Sequence, residues 1–158
     1  MSAHEIKSPK QREMEIQRFS IKQRNQLKPH IPILVTMCDY FTPLNTWLEE
    51  RMTNVSDILY VVQHKDIVGY ALLDKKEGYL ELELICVGPE GRGKGIGKQL
   101  MLATEEIAKE YKVSEIQLDA QFKAERFYKS LGYSNVERSE EGVRMKKMIH
   151  LKNHSKEI

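Results

Sequence analysis

The residues 88–98 read Gly-Pro-Glu-Gly-Arg-Gly-Lys-Gly-Ile-Gly-Lys, and no other stretch of the chain concentrates so much chemical capacity. Small residues let a backbone approach phosphate oxygens, and the N–H groups at a helix start point at an anion. Residues 88–94 fit the front of a nucleotide P-loop, but Gly95 stands where the magnesium-binding hydroxyl belongs. A dinucleotide fingerprint fails too, because glycines at 91, 93, 95 and 97 leave none at its third place. The remaining reading is a diphosphate cradle of the kind coenzyme A needs, with Arg92, Lys94 and Lys98 adding positive charge. A ligand-free glycine turn is the plain alternative. Each glycine that is truly helical costs about 1 kcal/mol, and this favours a backbone-contact role. Other candidates are fewer. Glu81 and Glu83 stand two apart in an apolar run, Cys38 and Cys86 have no histidine close in sequence, and the five histidines fall in loops or near the ends.

The elements that must position this loop can be read from periodicity. Residues 14–21 alternate weakly, as a first strand. Leu34, Met37, Cys38 and Phe41 follow helical spacing after Pro32, and Thr42-Pro43 opens a second helix with Leu44, Trp47, Leu48 and Met52. Strands are expected over 58–62, 67–73 and 79–87, joined by short turns at 64–66 and 75–78. In the third of these, Leu80, Leu82, Leu84 and Cys86 are expected on one face and Glu81, Glu83, Ile85 and Val87 on the other. A helix with the stripe Ile96, Leu100, Ala103, Ile107 and Tyr111 follows the loop. It leads to a strand carrying Ile116, Leu118 and Ala120, so strand, crossover helix and strand imply a parallel pair. A short helix over 124–131, with Ala124, Phe127 and Leu131 as its buried stripe and Tyr128 beside it, stops at Gly132. A hairpin, 133–138 with 143–149, closes the chain.

Composition narrows the class. At 158 residues the chain fits one domain, expected over 12–149 between flexible segments 1–11 and 150–158. Two cysteines make no disulfide framework, and no Cys/His cluster has metal spacing, so each cysteine reads as a small buried residue and no metal is expected. No apolar run reaches the roughly 18 residues of a spanning helix, and the polar start is no secretory signal, so a cytoplasmic protein is expected. The net charge of +2 conceals +4 in residues 1–30, −6 in 31–141 and +4 in 142–158. An acidic body argues against a nucleic-acid binder and leans toward a cationic partner.

Residues 92–97 match in full the Arg/Gln-x-x-Gly-x-Gly/Ala signature of the GNAT N-acetyltransferase superfamily, which the sequence therefore resembles. Residues 81–101 look like that family's fourth strand, loop and third helix, and 124–133 is similar to its second signature, with Phe127-Tyr128 and Gly132-Tyr133 pairs. The resemblance covers about 57–149. It implies an α/β (α+β) fold: a GNAT-like mixed, mostly antiparallel sheet of six to seven strands with a parallel splayed pair and about four helices. It also implies acetyl transfer from acetyl-CoA to a primary amine by direct attack in a ternary complex. An ammonium with a pKa near 10.4 must lose its proton before attack. Glu81 or Glu83 could accept that proton, and the sequence does not choose between them. Through the resemblance, the backbone of Ile85, Cys86 and Val87 is expected to meet pantetheine and thioester. Arg92, Gly93, Lys94, Gly95, Ile96, Gly97 and Lys98 are expected to hold the diphosphate. Tyr128 matches the family's general acid. Gln121 stands where many members have an asparagine that bonds the cofactor arm.

The acceptor is left open between a small cationic amine and a protein amine, with residues 14–56 as the place to look. Tyr40, Phe41, Trp47 and Tyr79 are candidates to line it. A homodimer paired through sheet edges is a family expectation. A non-catalytic acyl-CoA-binding regulatory module is the alternative reading.

Overall fold

Alternation in the central strands is what builds a two-faced sheet. The computed structural model describes residues 14–37 and 42–151. In β2 (Asp57–Gln63) and β3 (Asp66–Lys75), Leu59, Val61, Ala71 and Leu73 enter one apolar cluster. Their neighbours Ile58, Tyr60, Tyr70 and Leu72 enter another on the opposite face. Helix α4 (Ile96–Glu110) covers the first face through Ile96, Leu100, Met101, Ile107 and Ala108. The second face is covered by the one-turn α1 (Arg24–Leu27), α2 (Ile31–Met37) and α3 (Thr42–Asn54), through Leu27, Leu34, Val35, Leu48 and Met52. Tyr70, fully buried, donates from its hydroxyl to the Leu34 carbonyl at 2.8 Å and ties β3 to α2.

Seven strands form one sheet in the order β1-β2-β3-β4-β5-β7-β6. β1 (Met14–Ser20) is one edge and β6 (Ser134–Arg138) the other. All pairs are antiparallel except β4 (Tyr79–Val87) with β5 (Glu115–Ala120). The closing strand β7 (Val143–Met148) inserts between β5 and β6. The 64–66 turn forms with His64 and Lys65 both at positive φ, the geometry that suits a two-residue hairpin. Helix α5 (Glu125–Ser130) precedes β6. Four helices exceed one turn among the described residues, so the mixed α/β architecture is the one expected.

Three expectations need correction. The alternation of β4 does not run clean: Leu72 pairs with Leu84 but Leu73 pairs with Leu82, so Glu83 is an extra, bulged residue. The phase therefore flips. Leu80 and Leu82 pack under α4 with Ile85 and Val87, while Leu84 and Cys86 pack on the α2–α3 face. In α5 the buried residue is Tyr128, and Ala124, Phe127 and Leu131 are only partly buried around it. Cys86, buried as expected, is disulfide-bonded rather than a simple strand residue. Cys38, Tyr40 and Phe41 lie outside the described residues, as do 1–13 and 152–158.

Candidate active site

The glycine loop folds as its composition requires. After β4, residues Pro89–Gly91 make a 3-10 turn, and Gly88 N–H donates to the Val68 carbonyl at 2.8 Å. Gly93 (φ +76) and Gly95 (φ +74) occupy left-handed backbone that side-chain-bearing residues resist, and Gly95 is the N-cap of α4. The first backbone bond of α4 runs from Gln99 N–H to the Gly95 carbonyl at 3.1 Å, leaving the amides of Ile96, Gly97 and Lys98 at the open end of a fifteen-residue helix. Arg92 and Lys98 are exposed beside it. Lys94 reaches back instead: its Nζ donates to Oε1 of the buried Gln63 at 3.0 Å. This set of positive dipole ends and cations fits a diphosphate.

Next to the loop the sheet opens. β4 and β5 stay paired from Tyr79 with Glu115 to Leu82 with Leu118, and no further. The bulge at Glu83 bends β4 at the point where pairing ends. Beyond it, Ile85, Cys86 and Val87 pair with β3 on one side only. A slot of about 170 Å³ lies in this fork, lined by Glu83, Leu84, Ile85, Asp119, Ala120, Gln121, Ala124 and Tyr128 among others. Of the expected site residues, Glu83, Ile85, Gln121 and Tyr128 therefore meet at one place. Cys86 and Val87 do not line the slot, and neither does Glu81. A Cβ on Gly97 would sit 3.4 Å from the Phe127 ring, and that ring stands edge-on to the slot residue Tyr128 at 5.2 Å, so Phe127 lies between the helix start and the slot's Tyr128. Tyr128 also meets the Tyr133 ring edge-on at 5.8 Å.

Each candidate glutamate has an arginine that sequence spacing did not reveal. Arg144 of β7 grips Glu81 with both ends of its fork, Nη1 to Oε2 at 2.7 Å and Nη2 to Oε1 at 2.5 Å, and also bonds Gln117. Arg51 of α3 donates Nε to both oxygens of Glu83 at 3.1 Å and Nη2 to Oε2 at 2.9 Å. Hydrogen bonding to Glu83 raises the Arg51 guanidinium above its ordinary value, and bonding to Glu81 does the same for Arg144. The separations are 32 and 63 residues, which no local pattern encodes. The one available signal was generic: a charge on a half-covered strand needs a partner.

A second, larger cavity of about 890 Å³ shares Asp119, Ala120 and Gln121 with the slot. Trp47 of α3 and Arg144 line it, together with the acids Glu137 and Glu141. Of the aromatic candidates, Trp47 lines this larger cavity, whereas Tyr79 lines neither cavity. Among the described residues no cluster of His, Cys, Asp or Glu could hold a metal ion, and no helix is long and apolar enough to cross a membrane.

Comparison with known proteins agrees with this geometry. A family model described as an acetyltransferase (GNAT) domain matches residues 37–151. An uncharacterized N-acetyltransferase of Bacillus subtilis (strain 168), YjcF, is 36% identical over 84 residues, which are 53% of this chain and 60% of that protein. The matched region thus spans about three-fifths of that relative's length. Among solved structures, Tetrahymena GCN5 superimposes with a TM-score of 0.75 at 12% identity, covering 88% of this chain and 98% of that one. The PaiA N-acetyltransferase of Thermoplasma acidophilum, in complex with coenzyme A, gives a TM-score of 0.66 at 20% identity over 85% and 98%. At such identities the likeness to the two solved structures is one of fold. With the family model covering most of the described residues, and with the glycine loop and strand fork in place, the chain belongs to the GNAT acetyltransferase family.

Proposed function

We propose that this protein transfers an acetyl group from acetyl-CoA to a primary amine borne on a cationic molecule, by direct attack within a ternary complex. The observation that carries the reading is the convergence of Glu83, Ile85, Gln121 and Tyr128 on one slot beside the glycine-rich start of α4. In this reading the amides of residues 96–98, with Arg92 and Lys98, hold the diphosphate. The unpaired edge of β4 beyond the bulge meets the pantetheine arm, and the Gln121 amide bonds it. The amine nitrogen attacks the thioester carbonyl carbon while the carbon–sulfur bond breaks. Glu83, directly or through water, receives the proton the ammonium must shed, and Tyr128 gives its proton to the leaving thiolate. The slot favours Glu83 over Glu81 for this role, because Glu83 lines it and Glu81 lies outside it.

The acceptor side is the larger cavity. Asp119, Glu137 and Glu141 outnumber Arg144 there, and Arg144 is shared between Asp119 and Glu81. An indole at the rim, Trp47, offers a cation–π face. This supports an acceptor with a second positive charge besides the reacting amine.

The test is release of CoA thiol from acetyl-CoA across a panel of monoamines, diamines and lysine peptides. Turnover is expected, with diamines preferred over neutral-tailed monoamines of equal reactivity. Tight acetyl-CoA binding with no turnover on any amine would instead favour a non-catalytic acyl-CoA-binding regulatory module.

A further inference from the structure

Arg51 and Trp47 are four residues apart on α3, and therefore share one face of that helix. Trp47 lines the large acceptor-side cavity, and Arg51 grips Glu83 at the bulge where the slot begins. The same helix face thus touches both chambers. We infer that Arg51 is a positioning residue for the transfer reaction: its fork holds the Glu83 carboxylate at the mouth of the slot and fixes that carboxylate relative to the helix carrying Trp47. The inference rests on the reading of Glu83 as proton acceptor.

Three features of the geometry support it. A glutamate on a bulge has several rotamers open to it, and three hydrogen bonds of 2.9 to 3.1 Å to one planar group select a single one. The pair is largely covered, with side-chain exposures of 22% and 16%, so water screens it less than a surface pair. Arg51 is also anchored from behind, its Nη2 lying 3.3 Å from Asp74 Oδ2. Charge matters as much as position. Around Glu83 stand Arg51 from α3, Asp74 from the end of β3 and Lys76 just beyond it, which pairs with Asp74 at 3.1 Å. Asp119 of β5 and Tyr128 of α5 line the slot with it, and Arg144 of β7 pairs with both Asp119 and Glu81. Removing the guanidinium leaves the Glu83 carboxylate without the partner that holds it.

The experiment is kcat and the KM values for amine and for acetyl-CoA, measured on wild type, Arg51→Gln, Arg51→Lys, Glu83→Gln and the double variant. Arg51→Gln is expected to lower kcat about ten- to hundredfold with the acetyl-CoA KM unchanged. Arg51→Lys keeps the charge but loses the fork, so kcat is expected to stay reduced. Arg51→Gln added to Glu83→Gln is expected to cost little more than Glu83→Gln alone, since both act through one carboxylate. Wild-type kcat for Arg51→Gln beside an impaired Glu83→Gln overturns the positioning role and leaves the base intact. Wild-type kcat for Glu83→Gln removes the base and this inference with it. Should Arg51→Gln fail to fold, Arg51→Lys decides alone: wild-type kcat overturns the inference, and reduced kcat with an unchanged acetyl-CoA KM upholds it.

Discussion

Tyr128 carries the sharpest consequence of burial at the scale of single residues. Its ring is packed against Phe127 and Tyr133 while the residue also lines the slot, so its position is set by the core, and the hydroxyl is the group we propose as proton donor. Tyr128→Phe preserves the packing and removes the proton. It is expected to lower kcat by about 10²-fold or more, with the acetyl-CoA KM changed little and the melting temperature within a few degrees of wild type. Stopped-assay kinetics beside a thermal melt check this. The neighbouring Glu125 gives a prediction of a different kind. Hydrogen bonds from Lys129, Asn135 and Arg138 lower its pKa from 4.5 to about 2, tying α5 to β6. Because the folded value lies below the unfolded one, the unfolded chain binds more protons between them. The stabilisation is therefore present above about pH 4.5 and lost as pH falls toward 2. Glu125→Gln is expected to flatten the stability-against-pH curve in that window and to leave kcat at neutral pH unchanged, as urea melts at several pH values will show.

At the scale of elements, the glycine loop and the fork depend on backbone shape more than on side chains. Gly95 sits in the left-handed region at the N-cap of α4. An alanine there costs about 1–2 kcal/mol, and the helix start must shift to relieve it. Gly95→Ala is therefore expected to weaken acetyl-CoA binding several-fold by calorimetry while lowering stability by a comparable small amount. This loop was legible in the sequence because its signal is local: glycines at 91, 93, 95 and 97 followed by a 3.6-residue stripe leave few alternatives. The parallel pair was legible for a similar reason, a strand, a helix and a strand in succession. The bulge was not. After Glu83 the chain reads Leu-Ile-Cys-Val, four apolar residues that fit either phase of a strand, so the slip of one residue leaves no trace in the pattern. Yet that slip puts Leu84 and Cys86 on the α2–α3 face and bends β4 where the slot opens. The helical stripe of α5 was misread for want of the same long-range information. Its real core side is fixed by Tyr133 and the sheet, which spacing within 124–131 does not contain.

At the scale of the whole molecule, charge is divided between two regions. The glycine start of α4 carries the cations, and the cavity of Asp119, Glu137 and Glu141 is lined also by Trp47 of α3. The two glutamates of β4 do not add freely to that field, because Arg51 and Arg144 pair with them, and Arg144 also pairs with Asp119, so the net negative charge of the cavity rests on Glu137 and Glu141 with Asp119 partly offset. The sequence showed this only as a segment, residues 31–141, with a charge of −6 and no indication of where on the surface it gathered. A cavity of one sign concentrates counter-ions of the other, and salt dissolves that advantage over a screening length of about 10 Å at 0.1 M. The expected outcome is a kcat/KM for a diamine acceptor that falls about three- to tenfold between low salt and 0.5 M sodium chloride. A neutral-tailed monoamine of the same reactivity should fall much less, and Asp119→Asn combined with Glu141→Gln should bring the diamine down to the monoamine's salt response. Equal salt dependence for both amines in the wild-type protein would mean that the second charge is not read by this cavity, and would return the acceptor to the neutral amines without touching the chemistry assigned to the slot.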